Sequence, residues 1–308
     1  MPAAPALKDA RALLKRVYGY DAFRGLQENV IADVLAGRDG LAVLPTGGGK
    51  SLCYQIPALL REGCGIVVSP LIALMADQVD ALKQVGVRAE RLDSSMDFNA
   101  RADALNAAAR GEMDLLYVSP EGLGTNLADR LAQMKVSLIA VDEAHCVSQW
   151  GHDFRPDYRA LGRLKGLFHG VPRLAVTATA DARTREDILA QLDLTDPSVH
   201  VASFDRPNLT LSAEPKVGNR TQRVTQLVKA RAGASGIVYA ATRSAVEDVA
   251  EALEKAGVPS LAYHAGLDAN IRTARQRQFL LEEGRVMVAT VAFGMGVDKP
   301  DVRFVIHA

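Results

Sequence analysis

The feature that most constrains this chain is a run of consecutive glycines at positions 47–49, which lies between two segments of different pattern. The apolar run 40–44 before it predicts a buried strand, and the pattern 50–60 after it predicts a helix. Consecutive glycines let the backbone turn with its N–H groups pointing inward, and such a nest before a helix N-terminus holds phosphate oxygens. A strand, a phosphate-binding turn and a helix in this order predict an α/β fold with a parallel sheet.

Two side chains after the glycines have the chemistry that a nucleotide requires. Lys50 is placed to reach the β- and γ-phosphates, and the Ser51 hydroxyl is placed to bind Mg²⁺. The strict pattern of such loops has a glycine where this chain has Leu44, so the contacts fall to the segment 45–51. The alternative is a glycine-rich turn beside an ordinary surface lysine. We predict nucleotide binding, with the loop ligands Thr46, Gly47, Gly48, Gly49, Lys50 and Ser51.

Adjacent carboxylates, Asp142 and Glu143, follow the apolar run 137–141. At the carboxyl end of a strand, Asp142 can hold Mg²⁺, usually through water, and Glu143 can orient or deprotonate the attacking water. His145 can couple the acidic pair to its neighbours. The alternative is an acidic pair that only starts a helix. Because the pair and the phosphate loop fall on one predicted sheet, we predict nucleotide hydrolysis with Lys50 and Glu143 as the catalytic residues.

Upstream of the phosphate loop, a tyrosine, an arginine and a glutamine suit the recognition of an adenine. Tyr20 and Arg24 can stack on the base with their flat groups, and Gln27 can both donate to its edge and accept from it. The alternative is a turn that contains a glutamine whose hydrogen bonds are satisfied within the protein.

A loop at 146–158 contains the only tryptophan of the chain, Trp150, together with His152, Phe154 and Arg155. Aromatic side chains interleaved with a cation can stack on unpaired bases and contact a phosphate. The same residues can instead form a hydrophobic plug that holds a loop down. The residues alone leave both interpretations open.

Apolar runs alternate with helical patterns along the chain, which predicts βα units whose parallel strands are covered on both faces. Several predicted strands end in polar or special residues, such as those at 69–70 and 119–120, at the sheet edge where ligands bind. A change of composition at 203–208 predicts a linker. The other predicted strands are 65–69, 115–119, 173–177, 236–239, 261–263, 286–289 and 303–307. The other predicted helices are 7–17, 71–85, 99–110, 244–256 and 270–281, with a further helical pattern that ends at Leu35.

Length and composition limit the interpretation further. The 308 residues suggest about two domains, and 48% hydrophobic with 23% charged residues is ordinary for globular proteins. Lys+Arg and Asp+Glu number 36 each, a balance that neither favours nor excludes nucleic acid as a partner. The three cysteines are widely spaced and predict neither disulfides nor a zinc site, and neither a membrane span nor a signal peptide is recognisable. We therefore expect a cytoplasmic protein without zinc.

The order of these motifs resembles the helicase core of RecQ DNA helicases, members of helicase superfamily 2, over nearly the whole chain from about residue 7. The aromatic loop and the segment 289–300 are the most specific signals, because RNA helicases share only the phosphate loop, a related acidic box and the segment 177–180. The matching segments are 44–57 for family motif I, 69–78 for Ia, 142–156 for II with the aromatic loop, 177–180 for III, 263–267 for IVa and 289–300 for V.

The resemblance implies two tandem RecA-like lobes, residues 1–205 and 206–308, with mainly parallel sheets and with ATP and Mg²⁺ in the cleft between the lobes. It implies 3′-to-5′ translocation on single-stranded DNA and unwinding of duplex DNA in replication, recombination and repair, and it supports the adenine pocket. The residues that it implicates in DNA contact and coupling are Trp150, His152, Phe154 and Arg155. The resemblance does not indicate which proteins this chain binds. Two rivals stay open. One is an RNA helicase or double-strand translocase on the same scaffold, and the other is a nucleotide-dependent nucleic-acid-binding module without turnover.

Two departures from the family pattern lead to further expectations. The family's adenine motif reads Phe-Arg-Pro-Gly-Gln, whereas residues 23–27 keep the contacting residues and change the turn between them. The chain ends at Ala308, just after motif V, so motif VI with its arginine finger is not among the 308 residues. We therefore expect an incomplete second lobe, a fragment of a longer protein, and slow ATP turnover by this chain.

Overall fold

The computed structural model describes residues 6–150, 153–203, 208–215, 218–291, 293 and 299–308. The chain divides into two compact units, Met1–Pro207 and Asn208–Ala308. Some sequence predictions lie outside the described residues, namely His152, most of the linker at 203–208 and the glycine-containing part of the segment 289–300.

The first unit is built on one parallel sheet. Its strands are β1 (Gly40–Val43), β2 (Cys64–Val68), β3 (Ala89–Leu92), β4 (Leu115–Val118), β5 (Val136–Val141), β6 (Arg173–Thr177) and β7 (Ser198–Val201). Among the described residues the seven strands have the order β3-β4-β2-β5-β6-β1-β7, and each pairing between them is parallel. The doubly covered α/β sheet predicted from the apolar runs is therefore confirmed.

The β1 sequence explains why this sheet is covered on both sides. Successive side chains of a strand point to opposite faces. Leu41 and Val43 accordingly belong to one hydrophobic core, whereas Ala42 and Leu44 belong to the other. An uninterrupted apolar run thus supplies both cores, and the strand that leads into the glycine turn is fixed from both sides.

Helices pack on both faces of this sheet. They are α1 (Leu7–Leu13), α2 (Gln27–Leu35), α3 (Leu52–Leu60), α4 (Ile72–Gln84), α5 (Phe98–Ala109), α6 (Thr125–Ala132), α7 (Leu164–Leu167) and α8 (Ala182–Gln191). Helix α1 continues as a π-helical turn over Leu14–Tyr18, so the helix predicted over 7–17 is not α-helical throughout. Short 3₁₀ segments cover Ala144–Val147 and Pro156–Arg163.

The second unit has the same organisation on a smaller scale. Its elements are α9 (Arg220–Lys229), β8 (Ser235–Tyr239), α10 (Arg243–Lys255), β9 (Ser260–Tyr263), α11 (Ala269–Leu281), β10 (Val286–Ala289) and β11 (Val302–His307). The strands pair in parallel in the order β11-β8-β10-β9 among the described residues. Gly236 is required in β8, because a Cβ there would lie 2.2 Å from the Phe304 ring of β11. No helix of the described residues is long and apolar enough to cross a membrane.

Candidate active site

The glycine turn has a backbone shape that other residues cannot easily adopt. Gly47 and Gly49 have φ angles of 75° and 69°, in the left-handed region that favours glycine. Gly48 donates its N–H to the carbonyl oxygen of Pro45 at 2.8 Å, and a Cβ on Gly48 would lie 2.7 Å from that oxygen. The turn connects β1 to α3, which begins at Leu52. Each of the glycines therefore has a steric reason, as a phosphate-binding loop requires.

Gln27 contacts this turn through its side-chain amide. Its side chain is buried, and Nε2 donates to the carbonyl oxygens of Gly48 at 3.0 Å and Gly49 at 3.1 Å. Its Oε1 accepts the backbone N–H of Arg24 at 2.8 Å. The amide that the sequence suggests for an adenine edge thus also bonds the protein, and it holds the loop in shape.

Tyr20 and Arg24, the other residues of the predicted adenine pocket, lie at the surface beside each other. Tyr20 is half-exposed, and the Arg24 guanidinium carbon lies 5.8 Å from the centre of its ring. Two flat groups at the same surface are available for a planar base.

The acidic pair begins where β5 ends. Asp142 donates its N–H to the carbonyl oxygen of Val68 at 2.8 Å and is buried. Glu143 donates its N–H to Asp142 Oδ1 at 2.9 Å, and its own φ of 47° is left-handed. A non-glycine residue in this region stores backbone strain, and such strain concentrates at functional sites.

The electrostatics of the pair fit a bound divalent cation. Burial and the adjacent Glu143 raise the pKa of Asp142 to about 7, against the opposing effects of the Glu143 N–H, Lys50 and His145. A buried carboxylate beside another carboxylate is unfavourable without a positive partner. Oxygen ligands of this kind are those that Mg²⁺ prefers. Asp142 therefore fits the role of metal ligand that the sequence predicts.

His145 joins the acidic pair to the neighbouring strand end. Its Nδ1 lies 2.8 Å from Thr177 Oγ1 and 3.3 Å from Glu143 Oε2. Thr177 is the last residue of β6, and its carbonyl oxygen accepts the N–H of Leu44 at 3.0 Å. The acidic pair and the start of the glycine turn are therefore connected through one threonine.

The aromatic loop is anchored at its C-terminal part. Arg155 donates its N–H to the carbonyl oxygen of Cys146 at 2.9 Å, and its Nη1 to the carbonyl oxygen of Pro70 at 2.9 Å. Its guanidinium also pairs with Asp153 at 3.2 Å. Tyr158 is buried and donates its hydroxyl to the carbonyl oxygen of Asp142 at 3.0 Å. Arg155 thus holds the loop against the strand ends.

Trp150 differs from these anchoring residues. Its side chain is 57% exposed, and its backbone N–H donates to Ser148 Oγ at 3.1 Å. Phe154 is partly buried. The loop therefore contains an exposed aromatic residue as well as anchored ones, and the choice between plug and stacking surface stays open at this point.

One group of described residues places three potential metal ligands together. The ligand atoms of His145, Cys146 and Asp153 lie within 4.8 Å of one another. Burial raises the pKa of the Cys146 thiol to about 12, and the His145 and Asp153 side chains already contact Thr177 and Arg155. The absence of zinc stays a prediction.

A cleft that the sequence does not predict lies at the carboxyl ends of β2, β3 and β4. It has a volume of about 590 Å³. Its lining residues are Pro70, Ile72, Ser94, Arg101, Ser119, Glu121, Gly122, Gly124, Asn126 and Leu127. Of the lining residues, the sequence signals only Pro70 and Ser119, because they end predicted strands at the sheet edge where ligands bind. Arg155 contacts the cleft wall through Pro70.

With this geometry in hand, comparison with known proteins identifies the class. The family described as DEAD/DEAH box helicase matches residues 24–188, and the one described as helicase conserved C-terminal domain matches residues 219–308. The first match covers more than half of the chain, so the chain belongs to the DEAD/DEAH box helicase family.

Sequence relatives place the chain more narrowly, in the RecQ group of these helicases. It is 48% identical over 304 residues to the ATP-dependent DNA helicase RecQ of Pasteurella multocida, covering 98% of this chain and 48% of that protein. It is 43% identical over 305 residues to the ATP-dependent DNA helicase RecQ of Bacillus subtilis, covering 98% of this chain and 51% of that protein. The chain thus spans about half the length of the curated relatives it matches.

Solved structures share the fold at low sequence identity. The DUF1998 helicase MrfA bound to DNA has a TM-score of 0.72 at 19% identity, over 100% of this chain and 45% of that one. The DEAD-box helicase Mss116 bound to ssRNA and UDP-BeF has a TM-score of 0.67 at 17% identity, over 98% of this chain and 66% of that one. The predicted fold class, with RecA-like units on parallel sheets, is confirmed.

Proposed function

We propose that the chain binds ATP with Mg²⁺ and couples ATP hydrolysis to movement along single-stranded DNA, as the core of a RecQ-type helicase that unwinds duplexes. The observation that carries this proposal is Asp142, a buried carboxylate whose pKa is raised to about 7 beside Glu143. It lies at the end of β5 and is linked through His145 and Thr177 to the start of the phosphate loop. Catalysis of phosphoryl transfer consists mainly of positioning the reactants and stabilising charge, so it needs a metal-binding carboxylate held close to the phosphate loop.

Binding of the triphosphate is assigned to the glycine turn and its flanking side chains. The backbone of 46–49 contacts phosphate oxygens, and Lys50 pairs with the β- and γ-phosphates. Ser51 and Asp142 are the residues that hold Mg²⁺, which when bound neutralises charge on the phosphates.

Recognition of the base is assigned to Tyr20 and Arg24 at the surface. Gln27 already bonds the loop carbonyls of Gly48 and Gly49, so a base that draws its amide away changes the support of the phosphate loop. Occupancy of the base pocket and the shape of the loop are thereby coupled.

Hydrolysis is assigned to Glu143, which orients the attacking water and accepts its proton. His145 lies 3.3 Å from the Glu143 carboxylate and limits its orientations. Lys50 supplies positive charge for the transferring phosphoryl group. The left-handed backbone of Glu143 (φ 47°) departs from the extended conformation of the strand that ends at Val141.

The nucleic-acid path of the first unit is assigned to the cleft at the ends of β2, β3 and β4. Arg101 supplies a positive charge there, and Ser94, Ser119 and Asn126 supply groups that can donate hydrogen bonds to phosphate oxygens. Arg155 joins the cleft wall at Pro70 to the loop that follows the acidic pair. We propose that this contact couples nucleic acid bound in the cleft to Glu143. Trp150 and Phe154 are the proposed contacts to the bases.

The finer assignments follow the resemblance of the motifs to those of RecQ helicases. Movement is 3′-to-5′, the lobes correspond to residues 1–205 and 206–308, and the protein acts on DNA in the cytoplasm in replication, recombination and repair. Cys53, Cys64 and Cys146 are buried and free, as suits a reducing compartment. Slow turnover by the 308-residue chain stays a prediction.

Calorimetry with Mg-ATP is the first test, because it does not depend on turnover. We expect Lys50→Ala to weaken binding about tenfold or more, since it loses the charge on the β- and γ-phosphates. Lys8→Ala, at an exposed lysine of α1, removes the same charge away from the loop and should bind as the wild type does. Equal affinity in all three proteins would show that the loop does not bind the triphosphate.

Turnover is measured next, with single-stranded DNA and with RNA. We expect DNA to stimulate ATP hydrolysis more than RNA does, and we expect Glu143→Gln to bind Mg-ATP but to lose turnover by about 10²–10⁴-fold. Glu254→Gln makes the same chemical change at an exposed position of α10 and should retain turnover. Greater stimulation by RNA would favour the RNA helicase, and binding without turnover in the wild type would favour the binding module.

A further inference from the structure

An arginine covers one face of the exposed tryptophan. The guanidinium carbon of Arg183 lies 3.3 Å from the centre of the Trp150 ring. This is stacking distance for a planar cation on an aromatic face, an arrangement that the ring quadrupole favours. Trp150 nevertheless remains 57% exposed, so the stacked guanidinium leaves much of the indole open to solvent.

The arginine is held by a well-anchored element. Arg183 lies in the first turn of α8 (Ala182–Gln191), where Asp181 caps the helix by accepting the N–H of Thr184 at 2.8 Å. Thr184 is buried. Helix α8 comes shortly after Thr177, the residue that contacts His145. A shift of Trp150 and Arg183 therefore acts on a helix close to the acidic pair.

We propose that Arg183 and Trp150 form a platform for one unpaired base of single-stranded nucleic acid, with the arginine on one indole face and the base on the other. The inference rests on the proposed function and adds the residue that prepares the tryptophan for its ligand. Stacking of a base on an aromatic side chain does not depend on sequence. An indole already held by a cation loses less conformational freedom when the base arrives.

The guanidinium also contributes charge at the right place. A nucleotide stacked on the open face carries its phosphate within the electrostatic range of Arg183, and such contacts stabilise binding to any sequence. Arg183 is a positioning residue, because it acts on the base through Trp150. The alternative is that Arg183 acts as a latch, which occupies the indole face that the base would use. In that case removal of Arg183 strengthens binding of the nucleic acid.

Trp150 reports on its own surroundings, because it is the only tryptophan in the chain. We expect Arg183→Ala to shift its emission to longer wavelength and to increase quenching by acrylamide, since the covered face becomes hydrated. Acrylamide is neutral, so loss of the arginine charge does not change its local concentration. Arg183→Lys should give an intermediate result because it keeps the charge but not the flat group.

Arg185→Ala is the matched control. Arg185 lies on the same helix, carries the same charge and donates to the carbonyl oxygen of Ala180 at 3.1 Å. This variant should leave the emission and the acrylamide quenching of Trp150 unchanged. If Arg183→Ala also leaves both unchanged, the stacked pair does not exist in solution and the proposal is overturned.

Binding is measured by the anisotropy of a labelled oligodeoxythymidine. We expect Arg183→Ala to weaken binding about three- to tenfold and Trp150→Ala at least as much. The double variant should bind about as well as Trp150→Ala alone, because residues that act as a unit are not additive. Rescue by Arg183→Lys should be partial.

The remaining outcomes are also decisive. Stronger binding by Arg183→Ala identifies a latch and overturns the platform. Equal weakening by Arg183→Ala and Arg185→Ala, additive with Trp150→Ala, assigns the effect to net charge and overturns it as well. If the wild type binds the oligonucleotide and Arg183→Ala binds it equally well, the platform fails while the proposed function stands. If the wild type binds Mg-ATP but not the oligonucleotide, the platform and the proposed movement along single-stranded DNA both fail, and only the nucleotide site stands.

Discussion

Replacing Asp142 by asparagine should stabilise the nucleotide-free protein while it removes the metal site. The Asp142 carboxyl is buried, and burial together with Glu143 raises its pKa from 3.8 to about 7. A group whose pKa is higher in the folded state stabilises the fold at low pH, and this contribution is lost as the pH rises through the folded-state pKa. Near neutral pH the ionised carboxylate is therefore a cost, and an amide of the same shape removes it.

The size of the effect follows from the pKa. A rise from 3.8 to about 7 corresponds to about 4 kcal/mol at a pH well above both values. Asparagine keeps the Oδ1 acceptor for the Glu143 N–H, whose bond is 2.9 Å long. Its amide donors must be buried, which costs about 1–3 kcal/mol. A net gain of about 1–3 kcal/mol remains, or about 2–10 °C in Tm for a unit of this size.

The assay is thermal unfolding in EDTA with and without added Mg²⁺. We expect Asp142→Asn to have the higher Tm at about pH 8, and its advantage over the wild type to shrink by about 2–3 kcal/mol at about pH 5, where the folded carboxyl is protonated. Mg²⁺ should raise the Tm of the wild type and not that of the variant. Asp129→Asn, the same change at an exposed position of α6, should behave as the wild type.

The pH dependence decides the matter, because any other defect of the variant is present at both pH values. A difference in Tm between wild type and Asp142→Asn that stays constant from about pH 8 to about pH 5 would falsify the buried, raised-pKa carboxylate.

Two further variants test the contacts around the site. Gly49→Ala should lower both Tm and Mg-ATP affinity, because its φ of 69° is strained for alanine and the new Cβ would lie 2.2 Å from Gln27 Nε2; unchanged calorimetry would contradict the turn geometry. Tyr158→Phe should cost about 0.5–1.5 kcal/mol in urea unfolding, because it loses the bond to the carbonyl oxygen of Asp142; no loss would mean that this bond does not anchor the loop.

The two strands whose bounds the sequence predicts correctly at both ends have both faces buried. The runs 173–177 and 286–289 are strands with the predicted bounds, and the others agree to within a residue at most ends. The edge strands β3 and β7 were missed. β3 contains Glu90 and Arg91, and β7 alternates partly buried with exposed residues. A strand that is half solvated has no continuous apolar run to mark it.

The sequence patterns also miss some helices. Helices α6, α7, α8 and α9 were not predicted, and α9 begins at Arg220, after the predicted linker at 203–208. In α9 the buried residues are Val224 and Val228, which lie four positions apart, and such a narrow apolar face gives a weak periodic signal. Capping residues were the available signal, since Asn219 accepts the N–H of Gln222 and Asp181 that of Thr184.

For the site, the sequence predicts what is local and misses what tertiary structure brings together. The glycine turn and the acidic pair are contiguous, and their chemistry depends on residue types that spacing reveals. The bonds from Gln27 to the loop carbonyls, and the stacking of Arg183 on Trp150, join distant segments. No periodicity encodes such pairs, because they depend on where the strands and helices place their ends.

These distant contacts also explain how the strand ends can act together. Thr177 accepts the Leu44 N–H with its carbonyl oxygen and contacts His145 with its hydroxyl, so the turn and the acidic pair share one residue. Tyr158 binds the carbonyl oxygen of Asp142, and Arg155 binds that of Pro70. Both bonds join the aromatic loop to backbone carbonyls at the ends of strands. If a base displaced this loop, as we propose, it would strain these two hydrogen bonds and so act on the backbone of Asp142.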